Sequence, residues 1–166
     1  MGSEAFQETS VTGTPTIVVA KSANETVNNS STLQDDNDLL YAMAASTSYF
    51  FSIFLILTGA STTADWKFGW TVPASATMFW GPMAAGVLGT VIWANTGAAS
   101  SPAAFLTEGS TLVNGGINGT HGLALFGIVR NSSTAGNLQF QWAQNTPTVE
   151  DNVINKDSLM LINKIQ

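Results

Sequence analysis

The stretch that decides the fold is Tyr49-Phe50-Phe51-Ser52-Ile53-Phe54-Leu55-Ile56-Leu57. Its length suits a β-strand and is too short for a membrane-spanning helix, which needs about 20 residues. Apolar residues dominate both alternating faces of the run, which predicts a strand that is covered on both sides. We expect an opposing sheet on one side and a long loop, a neighbouring subunit or both on the other.

The next apolar stretch, residues 66 to 72, alternates with a period of two. Trp66, Phe68, Trp70 and Val72 fall on one face, and polar or small residues fall on the other. This alternation is typical of a half-buried strand. The two neighbouring stretches therefore predict a hairpin on which the rest of the chain packs.

The remainder of the chain continues the β pattern. Strand-like runs recur every ~8 to 15 residues between Gly, Pro, Asn and Ser clusters, and no long amphipathic helix is evident. Residues 34 to 38 suggest an acidic turn, and residues 148 to 157 suggest a polar loop. The pattern predicts an all-β protein, specifically an antiparallel, jelly-roll-like β-sandwich.

The N-terminal residues differ from the rest, which divides the chain into an extended arm (residues 1–20) and a sandwich domain (residues 21–166). The arm ends in a short β-prone run that contains Ile17, Val18 and Val19. We expect this run to add a strand to its own domain or to a neighbour, as strand-adding segments do. The alternative is a simple first edge strand.

The composition favours a protein that is built into an assembly. Hydrophobic residues make up 45% of the chain and charged residues only 10%, well below the usual quarter. The net charge of −6 argues against a nucleic-acid partner, which would need a basic patch. Without cysteine there are no disulfides, and the glycine-interrupted apolar segment 78–93 is too short to predict a membrane span.

Candidate reactive groups are few. His121 is the single histidine, and no nucleophile is marked near it, so a structural or solvent-facing role is expected. Asp35, Asp36 and Asp38 could supply oxygens to a calcium ion, but their spacing lacks the glycine and distal glutamate of an EF-hand loop. A solvated turn is the simpler interpretation.

Two further motifs carry no catalytic signal. The adjacent Glu150 and Asp151 would face opposite ways on a strand, which does not suit a pair of glycosidase carboxylates. The glycine-rich residues 114 to 119 lack the ending of a phosphate-binding loop. The sequence thus predicts no enzyme activity, no cofactor and no metal.

The tryptophans divide into two groups. Trp66, Trp70 and Trp142 alternate with polar or small residues and are expected in the core. Trp80 and Trp93 flank a segment of small residues, and we predict that they are exposed at a partner interface together with Ile17, Val18 and Val19. An exposed Trp80 or Trp93 would also suit a sugar-stacking platform.

Several segments resemble a module of tailed-bacteriophage virion structural proteins. They are residues 26–39, the run 49–57, residues 65–73, residues 134–146 and residues 157–161, so the resemblance spans about residues 21 to 166. It implies a β-sandwich on the virion that is commonly oligomeric. Relatives often carry the module at the end of a longer tail or fibre protein.

In this chain the module is nearly the whole length, which favours a small standalone component. The resemblance therefore implies a non-enzymatic capsid decoration protein on the outer surface of the particle. Expected partners are further copies of the chain, as a trimer, and other virion proteins such as the major capsid protein. A tail or fibre subunit, or a receptor-recognition module that binds a host glycan, is the alternative.

Overall fold

The computed structural model describes residues 15–82, 94–95, 106–107, 112–114 and 118–165. Within these residues every regular element is a β-strand. The strands are β1 (Ile17–Ala20), β2 (Glu25–Val27), β3 (Gln34–Met43), β4 (Ser48–Gly59), β5 (Trp66–Thr71), β6 (Thr77–Pro82), β7 (Ala94–Asn95), β8 (Leu106–Thr107), β9 (Leu112–Asn114), β10 (Gly119–Arg130), β11 (Gly136–Gln144), β12 (Asn152–Ile154) and β13 (Leu159–Lys164). The all-β class that the sequence predicts is confirmed.

The strands form two antiparallel sheets that pack against each other. The larger sheet has eight strands in the order β1-β13-β4-β10-β6-β8, with β12 also pairing with β4 and β2 pairing with β12. The smaller sheet has the order β3-β11-β5-β9-β7. β4 is central because it pairs along its whole length with β10 and on its other side with β13 and β12. The predicted β-sandwich is confirmed, and from β3 to β6 the chain alternates between the sheets.

The hairpin predicted from residues 49–57 and 66–72 is wrong. β4 lies in the larger sheet, whereas β5 lies in the smaller sheet between β11 and β9. The two strands instead face each other across the core, with the ring centroids of Phe51 and Trp70 4.8 Å apart. Apolar alternation records which side of a strand is buried and not which strand it pairs with, so the pattern could not separate these arrangements.

The core lies between the inward faces of the two sheets. Its fully buried members include Phe51, Ile53, Leu55, Trp66, Phe68, Leu138, Phe140 and Trp142. Rings from neighbouring strands contact one another, as in the Phe68–Phe140 and Trp66–Trp142 pairs with centroids 5.7 Å apart. The inward faces predicted for residues 66–72 and 138–142 are confirmed, and burial of each large side chain stabilises the fold by roughly 1.5–3 kcal/mol.

One close approach in the larger sheet requires glycine. Gly127 on β10 lies opposite Phe51 on β4. A Cβ atom at this position would come within 2.5 Å of both the Phe51 ring and the backbone oxygen of Phe79. The missing side chain lets the aromatic ring cover the strand, an arrangement that supports glycine within sheets.

The acidic turn predicted for residues 34–38 is wrong, because these residues begin β3. The register between β3 and β11 shifts between Gln139 and Gln141, so β3 contains extra residues at this point. Such an irregularity re-aims side chains, and here it turns Asp36 into the interior. The predicted polar loop 148–157 likewise contains a short strand, β12.

The end of the predicted arm is an edge strand of the domain itself. Ile17 to Ala20 form β1, which pairs with β13 at the margin of the larger sheet. This pairing fits both an arm that adds a strand to its own domain and the alternative of a simple first edge strand. Residues 1–14 of the predicted arm lie outside the described residues.

Candidate functional site

The outward side of the larger sheet is strongly apolar. Because strands alternate, Phe50, Phe54 and Ile56 of β4 point away from the core that Phe51 and Ile53 enter. Phe54 is 43% exposed and Ile56 is 38% exposed. The run that decides the fold therefore presents apolar side chains on both of its faces, as its composition predicts.

Neighbouring strands extend this surface. In the register of the sheet, Phe50 lies beside Ile128 of β10, and Ile128 lies beside Phe79 of β6, which is 45% exposed. We call the outward side chains of these strands and of β13 the outer face; its larger apolar members are Phe50, Phe54, Ile56, Phe79, Phe126, Ile128, Leu159 and Leu161. They form one continuous apolar area and are not single exposed residues.

Charge is nearly absent from the outer face. Among the described residues of this face, Arg130 at the end of β10 is the one charged side chain. A groove of about 280 Å³ lies next to it and is lined by Phe50, Phe79, Phe126, Gly127, Ile128 and Arg130. We call it the Arg130 groove. An apolar groove with one cation at its rim suits an apolar group that carries a neighbouring negative charge.

Two of the three acidic residues considered for calcium, Asp36 and Asp38, instead lie beside a buried lysine, whereas the exposed Asp35 accepts a hydrogen bond from Gln141 Nε2 at 2.8 Å. The Lys21 ammonium donates to both Asp36 carboxylate oxygens and to Glu25 Oε2, each at 2.8 Å. Asp38 lies further away, at 3.9 Å from the same nitrogen. In the part of the chain that the structure describes, no group of three or more His, Asp or Glu side chains could hold a metal ion.

The protonation of Lys21 follows from this environment. Burial alone lowers the pKa of the Lys21 ammonium, but the hydrogen bonds to Asp36 and Glu25 outweigh that effect and raise the pKa above its ordinary value of 10.5. Lys21 therefore stays charged at neutral pH. The cluster joins the two sheets because Lys21 follows β1, whereas Asp36 lies on β3.

His121 lies on β10 against the core tryptophan Trp66, with ring centroids 6.4 Å apart in an edge-on arrangement. Burial lowers the pKa of the imidazole below its ordinary value of 6.5. The neutral ring is therefore favoured at neutral pH. A structural role for His121 stays a prediction.

The residues predicted for an interface differ in how far they are exposed in the structure. Ile17 and Val18 on β1 are 38% and 59% exposed, and Val19 is half-buried against the core. The predicted exposure of Trp80 is wrong: its side chain has 0% exposure and packs edge-on against Trp70, with centroids 6.2 Å apart. Strand alternation explains this, because Phe79 takes the outward position of β6. Trp93 lies outside the described residues.

Sequence reasoning missed Phe54, Ile56 and Phe79 as surface residues. The signal was present for two of them, because a strand that is apolar on both faces requires a second covering layer. Phe79 gave no comparable signal, since the segment around it is too irregular to assign inward and outward positions.

Comparison with protein-family models, with curated proteins and with solved structures gave no match. The search for membrane spans, made over the described ranges, found no helix long and apolar enough to cross a bilayer. The outer face and the Arg130 groove are therefore interpreted from their own chemistry.

Proposed function

We propose that the chain is a non-enzymatic structural protein of a tailed-phage virion, a capsid decoration protein that assembles as an oligomer on the outer surface of the particle. The observation that carries the proposal is the outer face of the larger sheet. A strand that is apolar on both sides at the centre of a sheet needs a partner for its outward side, and a subunit of an assembly has one. The resemblance of residues 21–166 to virion proteins supports the same interpretation.

The size of the outer face suits a contact between proteins. The four strands have 12, 12, 6 and 6 residues, which at a rise of ~3.4 Å per residue and a spacing of ~4.8 Å between strands cover about 600 Å². A standard interface buries about 800 Å² on each partner, so the outer face could form most of its apolar centre. Such a patch also lies at the upper end of what monomeric proteins expose, about 300–600 Å².

The low charge of the chain supports an assembled state. The strands that form the outer face contain no acidic residue. Elsewhere in the described residues, Glu25, Asp36 and Asp38 surround Lys21, and Glu150 and Asp151 lie in the loop after β11. Desolvation of the outer face on binding would therefore cost little, because burying apolar atoms is favourable whereas burying charges is not.

The glycan-binding alternative has lost part of its support. It requires exposed tryptophans, and Trp80 is buried. A tail or fibre subunit needs the same kind of covered surface as a decoration protein, so the position on the particle must be determined by imaging.

The proposal is tested by adding the purified protein to particles that lack it. We expect co-sedimentation with capsids and regular density on their surface in electron micrographs. An Ile56→Ser variant should bind at least ~10-fold more weakly, about 1.4 kcal/mol, because it removes an apolar contact. Leu40→Ser is the matched control, since Leu40 is 36% exposed on β3 of the other sheet.

Two results would contradict the proposal. One is absence of the protein from particles at every concentration tested. The other is unchanged binding of the Ile56→Ser variant together with weakened binding of the Leu40→Ser control, which would place the contact on the smaller sheet.

A further inference from the structure

A second unusual surface feature lies in the loop after β11. Val149 is 78% exposed, the largest value among the exposed large hydrophobic side chains. Glu150 and Asp151, the next two residues, are also exposed. We call residues 145–151 the Val149 loop. It offers an apolar side chain that is followed directly by two carboxylates.

The Val149 loop is held in shape by a buried side chain. Gln144 is fully buried, and its Oε1 accepts from the backbone nitrogen of Thr148 at 3.0 Å. Its Nε2 donates to the backbone oxygen of Glu150 at 2.7 Å. The amide therefore bonds the backbone immediately before and immediately after Val149.

Neighbouring segments fix the loop from outside. The backbone nitrogen of Asn29 donates to the oxygen of Thr148 at 2.6 Å, and that of Ala60 donates to the oxygen of Asp151 at 3.1 Å. A preformed loop loses little conformational entropy on binding, so an exposed side chain on it makes an efficient contact. The exposure of Val149 is thus a feature of an ordered backbone.

The Arg130 groove has complementary chemistry. Its lining is aromatic and aliphatic apart from Arg130, which is exposed and forms no ion pair with the described residues. Val149 with the adjacent Glu150 carboxylate provides an apolar group and a negative charge in sequence. The chain therefore contains both halves of a matching pair.

The two halves lie at opposite ends of the sandwich. Arg130 pairs with Ser48, where β4 begins, whereas the Val149 loop bonds Ala60, just after β4 ends at Gly59. Twelve residues at ~3.4 Å each separate these ends by about 40 Å. A chain cannot place its own Val149 loop in its own Arg130 groove, so the partner must be another copy.

We propose that copies of this chain associate head to tail, with Val149 of one copy inserted into the Arg130 groove of the next and Glu150 set against Arg130. The inference rests on the proposed function, because it names the contact through which an assembling subunit meets its neighbour. The two surfaces differ, so the contact is heterologous and leads to a closed ring or to an open chain of subunits.

The proposal is tested by sedimentation of the full chain and its variants. Val149→Ser and Arg130→Glu should each weaken self-association at least ~10-fold, as expected when a central contact is lost. The Arg130→Glu, Glu150→Arg double variant should recover part of the association, because the charges are exchanged. Leu40→Ser is the control, and thermal unfolding should be unchanged throughout because all four residues are exposed.

A mixture separates this contact from a symmetric one. The Val149→Ser chain keeps an intact groove, and the Arg130→Glu chain keeps an intact loop, so their mixture should form heterodimers and no larger species. Association of both single variants at wild-type strength would overturn the contact while leaving the proposed function intact. A wild-type chain that stays monomeric would also overturn the head-to-tail contact, although its binding to particles would still support the proposed function. Self-association without binding to particles would contradict the proposed function alone.

Discussion

Replacement of Lys21 tests how the two sheets are held together. The lysine lies directly after β1, and its backbone nitrogen donates to the oxygen of Ser158 at 2.8 Å beside β13. Its side chain leaves the larger sheet and reaches Asp36 on β3 of the smaller sheet. We expect Lys21→Met to leave Asp36 as a buried carboxylate without its cation, and so to lower the free energy of unfolding.

The size of the effect follows from what remains around Asp36. Removing one partner of a buried ion pair costs about 3–5 kcal/mol. Asp36 Oδ1 keeps the backbone donors of Asp38 at 3.0 Å and Leu39 at 2.9 Å, so we expect a value near the lower limit. A loss of about 3 kcal/mol lowers Tm by about 6–12 °C in a chain of this size.

The measurement is urea unfolding followed by tryptophan fluorescence, with Lys164→Met as the exposed control. The control should change stability by less than about 0.5 kcal/mol. An Asp36→Leu substitution in the Lys21→Met background should cost less than the sum of the two single changes, because both partners of the pair are then removed. A loss below about 1 kcal/mol for Lys21→Met alone would refute the reasoning.

The pH dependence has a definite sign. Since the folded protein raises the pKa of Lys21, the contribution of the ion pair is complete below the ordinary value of 10.5 and is lost as pH rises through the folded-state pKa. Titration of Lys21 should therefore leave the stability difference between wild type and Lys21→Met constant near neutral pH. The difference should shrink only above pH 10.5.

Three other predictions follow from particular contacts. Gly127→Ala should destabilise the fold by about 1–3 kcal/mol in urea unfolding, because its added Cβ would overpack the sheet. Gly122→Ala on the same strand is the control and should not show this cost, because its added Cβ would meet nothing closer than 4.0 Å. Equal destabilisation by the two variants would contradict the predicted clash at Gly127. Burial lowers the pKa of His121, so the contribution of this residue to stability is complete above pH 6.5 and is lost as pH falls through the lower folded-state pKa. As pH is lowered, Tm should therefore fall less steeply for His121→Gln than for wild type. Parallel curves of Tm against pH would contradict this prediction. Gln144→Ala should lower the free energy of unfolding by about 1–3 kcal/mol, since buried backbone groups lose their partner. The same variant should increase hydrogen exchange in residues 145–151. Unchanged exchange would show that other contacts hold the loop.

The periodicity of the sequence predicts which side chains point into the core, but it does not predict which strands pair with each other. Trp66, Phe68 and Trp70 were placed correctly because alternation reports burial directly. The pairing of β4 was not predictable, since its partners β10 and β13 are remote in sequence and a short connection can form either a hairpin or a crossing between sheets. The sequence predicts a turn at Asp36 because clustered Asp and Asn residues are typical of turns, and nothing in the spacing links Asp36 to Lys21.

The candidate site was predictable only in part. The two apolar faces of residues 49–57 predicted an additional covering layer, and the outward Phe54 and Ile56 are consistent with that requirement. The sequence predicts an exposed Trp80 and makes no prediction for Phe79, because Pro73 to Ala76 interrupt the alternation and leave the inward and outward positions of β6 undetermined. The Arg130 groove depends on three strands in register, which no local pattern records.

The distribution of charge connects the outer face with the head-to-tail contact. The strands that form the outer face contain no acidic residue, whereas several described acidic residues lie in the Lys21 cluster or in the Val149 loop. Mutual repulsion between acidic copies therefore opposes many relative orientations, whereas an orientation that brings the Val149 loop to Arg130 exchanges repulsion for attraction. Apolar burial on the outer face would supply affinity in that orientation, and the single cation at its rim would select it.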